Sequence, residues 1–148
     1  MATLYSDIFE LVLSGFNDYK IDKLYQSDIT SRNMDVYLTG FLIRAIPNFD
    51  NCEQDLEDRN DTSRTFNITL TTDEKVILSE LAIVQLLKKE VNDVKQMELH
   101  LSDPKAYKHY AEANNLKEKR DTMYSAQENA ERMMVKYSHK NIDWNDYM

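Results

Sequence analysis

Apolar residues recur at helical spacing along most of the chain. Ile8, Leu11, Val12 and Phe16 share one face, widened by Phe9 and Leu13, so a first helix starts near Ser6-Asp7. Gly15 and Asn17-Asp18 supply its stop signal. A polar link follows over residues 18–31, with Leu24, Tyr25 and Ile29 as its apolar pins. Met34, Tyr37, Leu38, Phe41, Leu42, Ala45, Ile46 and Phe49 keep the 3.6 period and predict a second helix over 31–49. Pro47 has no N–H to give to Ile43 and ends or kinks it.

The third helix is predicted over 72–92. Val76, Ile77, Leu78, Leu81, Ala82, Ile83, Val84, Leu86 and Leu87 cover most of its circumference, the mark of a central helix packed on several sides. Thr71 and Glu74 stand as a capping box at its start. The pattern turns polar at Lys88, Lys89 and Glu90, where the cations suit a C-terminus. Asp103-Pro104 opens a fourth helix, and nothing breaks it before residue 140. Such a helix spans about 54 Å, more than a small core covers, so part of it is expected to project or to lie on another subunit. Leu116, Met123, Ala130 and Tyr137 repeat every seven residues beside a weaker row of Ala113, Arg120, Gln127 and Met134. That thin seam suits a subunit contact.

Between the second and third helices lies NCEQDLEDRNDTSRTFNITLTTDEK, residues 51–75, crowded with carboxylates and amides. Within it Phe66, Ile68 and Leu70 alternate, which predicts a short extended segment. The last eight residues, NIDWNDYM, set Ile142, Trp144 and Tyr147 among acids. Two readings stand for them: a frayed end, or an anchor in a neighbour's pocket. The expected fold class is all-α: one domain with a helical core over 1–101, its acidic loop at 50–71, a long helix over 102–140 and a tail over 141–148.

Composition narrows the function classes. The 148 residues hold two glycines and two prolines, too few for a turn-rich β domain or a Gly-rich nucleotide loop. A net charge of −8 disfavours tight binding of nucleic acid or of an anionic membrane. The N-terminus lacks a basic region and carries Asp7 and Glu10, so it reads as a helix and not as a signal peptide. No apolar run reaches membrane length.

The acids Asp50, Glu53, Asp55, Glu57, Asp58 and Asp61 lack the glycine of a calcium loop. Of Cys52, His100, His109 and His139 no two stand at zinc-ligand spacing apart from His100 and His109, nine residues apart, and Cys52 has no basic neighbour to make it a nucleophile. Lys117, Lys119 and Arg120 are diluted by Glu118, as on a solvated helix face. Lys105, Tyr107, Lys108, His109 and Tyr110 form one local basic and aromatic patch, for which packing is the simpler role. No metal, cofactor or catalytic set is expected.

The ordered series LYSDIFELVL, FLIRAIPNF, DLEDRND, TFNITL, TDEKVIL and NNLKEKRD resembles the head–tail connector proteins, of the adaptor or neck type, of tailed phages with Gram-positive hosts. The resemblance covers most of residues 4–138. It implies a helical domain in a ring, commonly dodecameric, beneath the portal protein. The ring would extend the channel through which double-stranded DNA passes without sequence-specific binding, and dock the next neck or tail protein. It would place the chain in the virion neck after synthesis in the host cytoplasm, with no membrane partner. On that reading Asp55, Asp58, Arg59 and Asp61 hold the loop in one shape and join adjacent subunits or the portal, Arg59 by a bidentate carboxylate pair. Phe66, Ile68 and Leu70 add as a strand to a neighbour, and Met123, Tyr137, Trp144 and Tyr147 are further interface residues. The simpler alternative is a loop whose Arg59 neutralises its own acids. Rival functions are another neck or tail-completion joint, for which a β-rich fold would speak, and a small acidic module that binds a host protein. An enzyme is the weakest class.

Overall fold

A computed structural model describes residues 2–15, 32–100 and 106–140. Strand β1 (Thr3–Leu4) leads directly into helix α1 (Tyr5–Gly15). Helix α2 (Arg32–Ala45) runs on as a 3-10 turn over Ile46–Asn48 with Pro47 inside it. The missing N–H of proline converts the last turn and does not bend the helix midway. Strands β2 (Arg59–Asn60) and β3 (Thr65–Phe66) lie in the acidic loop. Helices α3 (Thr72–His100) and α4 (Ala106–Lys140) complete the chain. The architecture is a mostly helical bundle with one small sheet.

The helical period decides the core. Helix α3 packs against α1, α2 and α4, as a helix apolar on nearly every side must. Ile77, Leu78, Leu81, Ala82, Ile83, Leu86 and Leu87 are all buried. They meet Ile8, Phe9 and Val12 of α1 and Leu38, Leu42 and Ala45 of α2 in one cluster. The predicted link at 18–31 and the tail at 141–148, with Trp144 and Tyr147, lie outside the described residues.

Two boundary expectations need correction. Helix α3 continues to His100 and not merely to residue 92. Charged residues are good helix formers, and neither glycine nor proline stands between Pro47 and Pro104. At the expected end Val91 is buried, and Glu90 accepts from Lys119 Nζ of α4 at 3.2 Å. With 29 residues, α3 is about 44 Å long against about 52 Å for the 35 residues of α4. The excess that seemed to require a second subunit is thus mostly matched inside the chain.

The seam of α4 is the second correction. Ala130, Met134 and Tyr137 are buried in the core and Met123 packs against it. Lys119–Glu90 and Lys140–Asp73 show the two helices antiparallel. Met123 and Tyr137 are therefore internal contacts of this hairpin, because α3 offers them an apolar flank that spacing on α4 alone does not reveal. No helix among the described residues is long and apolar enough to cross a membrane.

Candidate functional site: an acidic loop pinned at both ends

Residues 50–71 have little regular structure, so their polar groups must find specific partners. Asp55 Oδ1 accepts the Glu57 N–H at 3.0 Å, and the Asp55 carbonyl accepts the Asp58 N–H at 3.2 Å. The Asp58 carboxylate takes the Asn67 side-chain amide at 2.9 Å while its carbonyl takes the Asn67 N–H at 3.0 Å. Asn60 Oδ1 accepts the N–H groups of Thr62 and Ser63 at 3.0 and 3.1 Å. That turn reverses the chain between β2 and β3. It closes with Arg64 at a left-handed φ of 55°, whose carbonyl accepts the Tyr5 N–H at 3.0 Å.

Arg59 sits at the centre. Its side chain is 13% exposed, against 74% for Glu57 and 47% for Asp61. Nη1 donates to Glu57 Oε2 and to the Leu56 carbonyl, both at 3.0 Å, and Nε donates to Asp61 Oδ1 at 3.1 Å. Nε and Nη1 are engaged by the loop's own oxygens, as the simpler of the two roles requires. Asp61 Oδ1 also accepts the Tyr5 hydroxyl at 2.6 Å. That bond, followed by Arg59, holds the Asp61 carboxyl below the usual carboxylate range even against partial burial. Burial first, then Asp61, pushes the Tyr5 hydroxyl above its ordinary range.

The extended segment is present as β3, inside the expected range, and pairs within the chain. The sheet order is β1-β3-β2, with Thr3 opposite Phe66 and Arg59 opposite Phe66 on the other side. Strand β3 is therefore the middle strand, and its backbone offers no edge to a neighbour; this corrects strand addition through Phe66, Ile68 and Leu70. Phe66 is fully buried, its ring 4.9 Å from that of Tyr5. Ile68 packs against the core, and buried Leu70 donates its N–H to Thr3 Oγ1 at 2.9 Å. The sequence hid this because two-residue strands have no period to read.

The far end of the loop is tied by Glu74, only 1% exposed. Its Oε1 accepts the Thr71 N–H at 2.8 Å and the Gln54 amide at 2.6 Å. Its Oε2 accepts the Tyr137 hydroxyl at 3.0 Å and the Cys52 thiol at 3.5 Å. Thr71 Oγ1 returns the capping-box bond to the Glu74 N–H at 3.3 Å. Gln54 reaches on to the Thr69 carbonyl at 2.8 Å, and Tyr137 Oη accepts the Glu53 N–H at 3.1 Å. One buried carboxylate thus joins the loop, the start of α3 and the last turns of α4. The capping box is legible in the sequence; the donors Gln54, Cys52 and Tyr137 come from 20, 22 and 63 residues away and leave no local signal.

The chemistry of this knot is structural. Burial would raise the Glu74 pKa, but bonds from Thr71, Gln54 and Tyr137 outweigh it and hold the carboxyl below its usual range. Burial pushes the Cys52 thiol up to about 11, so no thiolate nucleophile forms near neutrality. Among the described residues no three of His, Cys, Asp and Glu converge as metal ligands. Compared with family models, curated proteins and solved structures, the chain matches none.

A pH dependence follows, with opposite signs on the two sides. Glu74 and Asp61 titrate lower folded than unfolded. Their contribution is complete above the ordinary carboxylate values near pH 4 and is lost as pH falls through the lower folded values. Cys52 and Tyr137, raised by burial to about 11 and about 12, contribute below the ordinary values of about 8.5 and 10 and lose it as pH rises toward the folded ones. Thermal midpoints followed by circular dichroism should form a plateau from about pH 5 to 8 and fall on both sides. A midpoint unchanged down to pH 3 would contradict the assignment of these two carboxylates.

Proposed function

We propose that the chain is a non-catalytic joint protein that assembles as a ring, and that this ring is the head–tail connector of a tailed phage. One observation carries the reading. The stretch with the connector-like order, DLEDRND through TDEKVIL, folds into a loop most of whose inward polar atoms bond within the chain, with buried Arg64 Nε left without a partner among the described residues. Glu53, Asp55, Glu57, Asp58 and Asp61 remain on its exposed side. A loop held this firmly, with no reactive group inside it, serves to present a surface. A fixed negative surface suits a channel past which DNA phosphates slide without being trapped, and it suits a basic rim on a partner ring. The mostly helical fold favours an adaptor over the β-rich joints farther down the neck.

Mixing the purified chain with the portal ring of its virus, with native mass spectrometry as readout, tests this. A stoichiometric ring on the portal is expected; no association well above micromolar would overturn the connector reading and favour a module for a basic host protein. Arg59→Ala strips Glu57, Asp61 and the Leu56 carbonyl of their shared donor. Stability should fall by about 1–2 kcal/mol with the helical spectrum retained, and attachment should weaken at least tenfold. Full attachment by the variant would show that loop shape is irrelevant to assembly.

A further inference from the structure

A second feature is unused by the loop. Between α2 and α3 opens a groove of about 570 Å³, within the range of clefts that take organic side groups. Val36, 54% exposed, lines it with Tyr37 and Phe41, and Arg44, Lys88 and Lys89 bring three cations to the same walls. In a chain of net charge −8 this is a local reversal of sign. Lys89 lies 5.8 Å over the Tyr37 ring, which sets charge and aromatic surface side by side. Gly40 lines the same groove inside α2. A glycine within a helix costs about 0.5–1 kcal/mol relative to alanine. Outside its own helix, a Cβ there would meet no atom of the described residues within 4 Å. No packing among the described residues demands it, whereas close approach by an outside group would.

We propose that residues 141–148 of one copy seat in the α2–α3 groove of a second copy of this chain. The segment carries Ile142, Trp144 and Tyr147 for the apolar floor and Asp143 and Asp146 for Arg44 and Lys88. The acidic loop offers charge but no comparable anchor, since its Leu56, Phe66 and Leu70 are buried. Trp144 would meet the near end of its owner's own groove, at Gln85, only with the intervening residues fully extended, so the groove of a second copy seats it at lower conformational cost. Helix α4 delivers the segment beside Asp73, where Lys140 pairs at 2.9 Å. Lys88 stands fifteen residues farther along α3, about 22 Å away. The four residues from Lys140 to Trp144 span at most about 14 Å. Tail and groove are different surfaces, so the contact closes as a reciprocal two-fold exchange or a larger ring, or runs on as a filament. The inference deepens the ring reading and rests only on its self-association, not on the portal.

The test uses two full-length variants. Trp144→Ala with Tyr147→Ala keeps the groove and loses the anchors. Arg44→Glu with Lys88→Glu keeps the tail and reverses the groove, at two exposed positions. Trp144 is the sole tryptophan, so its emission reports the tail directly. Each variant alone should stay monomeric at concentrations where the parent chain associates. Mixed, they should form a one-to-one pair, with a blue shift of Trp144 emission contributed by the groove-reversed chain alone. Gly40→Leu, which fills the groove without altering charge, should weaken association at least tenfold. No pairing or blue shift in the mixture up to about 100 times micromolar would overturn the proposal. So would a blue-shifted Trp144 in a dilute monomer, or association unaffected by Gly40→Leu. Binding of short DNA duplexes that the groove reversal abolishes and tail loss leaves intact would assign the groove to nucleic acid instead. Failure of this pairing while the parent chain still forms a stoichiometric ring on the portal would overturn this inference and leave the connector reading standing.

Discussion

Glu74→Ala should be the most damaging single change at the polar knot, lowering stability by about 3–5 kcal/mol. The carboxylate is 1% exposed and accepts from Thr71, Gln54, Tyr137 and Cys52. Removing it leaves those donors in a space without a replacement acceptor, and the penalty for an unmet buried polar group exceeds the net gain of a met one. For a chain of this size the thermal midpoint should drop by roughly 10–15 °C. Glu74→Gln keeps the shape but turns one acceptor into a donor, so it should also destabilise, by about 2 kcal/mol. It should flatten the fall in stability on the acid side as well, because the titrating group is gone. Urea unfolding at pH 7 and pH 4 reads both effects. A loss under about 1 kcal/mol for the alanine variant would mean that water or a neighbour readily replaces the carboxylate.

Tyr5 is the second. Its side chain is fully buried, with Phe9 and Phe66 at ring distances of 6.4 and 4.9 Å and Asp61 on its hydroxyl. Tyr5→Ala opens a cavity under the loop and should cost about 4 kcal/mol. Tyr5→Phe keeps the ring and removes only the bond to a charged acceptor, about 1.5–3 kcal/mol. Comparing the two in denaturant separates packing from hydrogen bonding. Should phenylalanine prove as costly as alanine, the ring would not be what supports the loop. Tyr5→Phe and Arg59→Ala each leave Asp61 with one of its two donors, so the double variant should cost more than either alone.

What could be read in advance was local or periodic. The 3.6-residue rhythm locates α1, α2 and the central α3, and the spacing of Thr71 and Glu74 is the capping box that the structure contains. Pro47 stands where α2 gives way to a 3-10 turn. What escaped depends on contacts between distant residues. The inward turn of Tyr137 follows from the flank of α3, and a heptad row cannot say which helix it faces. The fork of Arg59 was legible as a carboxylate pair, but its partners are Glu57 and Asp61 of the same loop. Thr3 and Leu4 carried no strand signal at all, because two residues acquire one only from the strand they meet. The late end of α3 shows that lysine and glutamate mark a solvated face more reliably than a stop.

The stitching of the N-terminal residues to the loop has a kinetic side. The bonds Tyr5–Asp61 and Leu70–Thr3 span 56 and 67 residues. Closing a segment of that length costs about 3–4 kcal/mol of chain entropy before any contact is gained, whereas α3 and α4 are consecutive and meet sooner. Tyr5→Phe should accordingly speed unfolding and leave the refolding rate nearly unchanged in stopped-flow chevrons; slowed refolding would place the stitch in the folding nucleus instead. With refolding unchanged, a surface built this way would take its shape after the bundle has formed and be the first region to lose that shape when the chain begins to open.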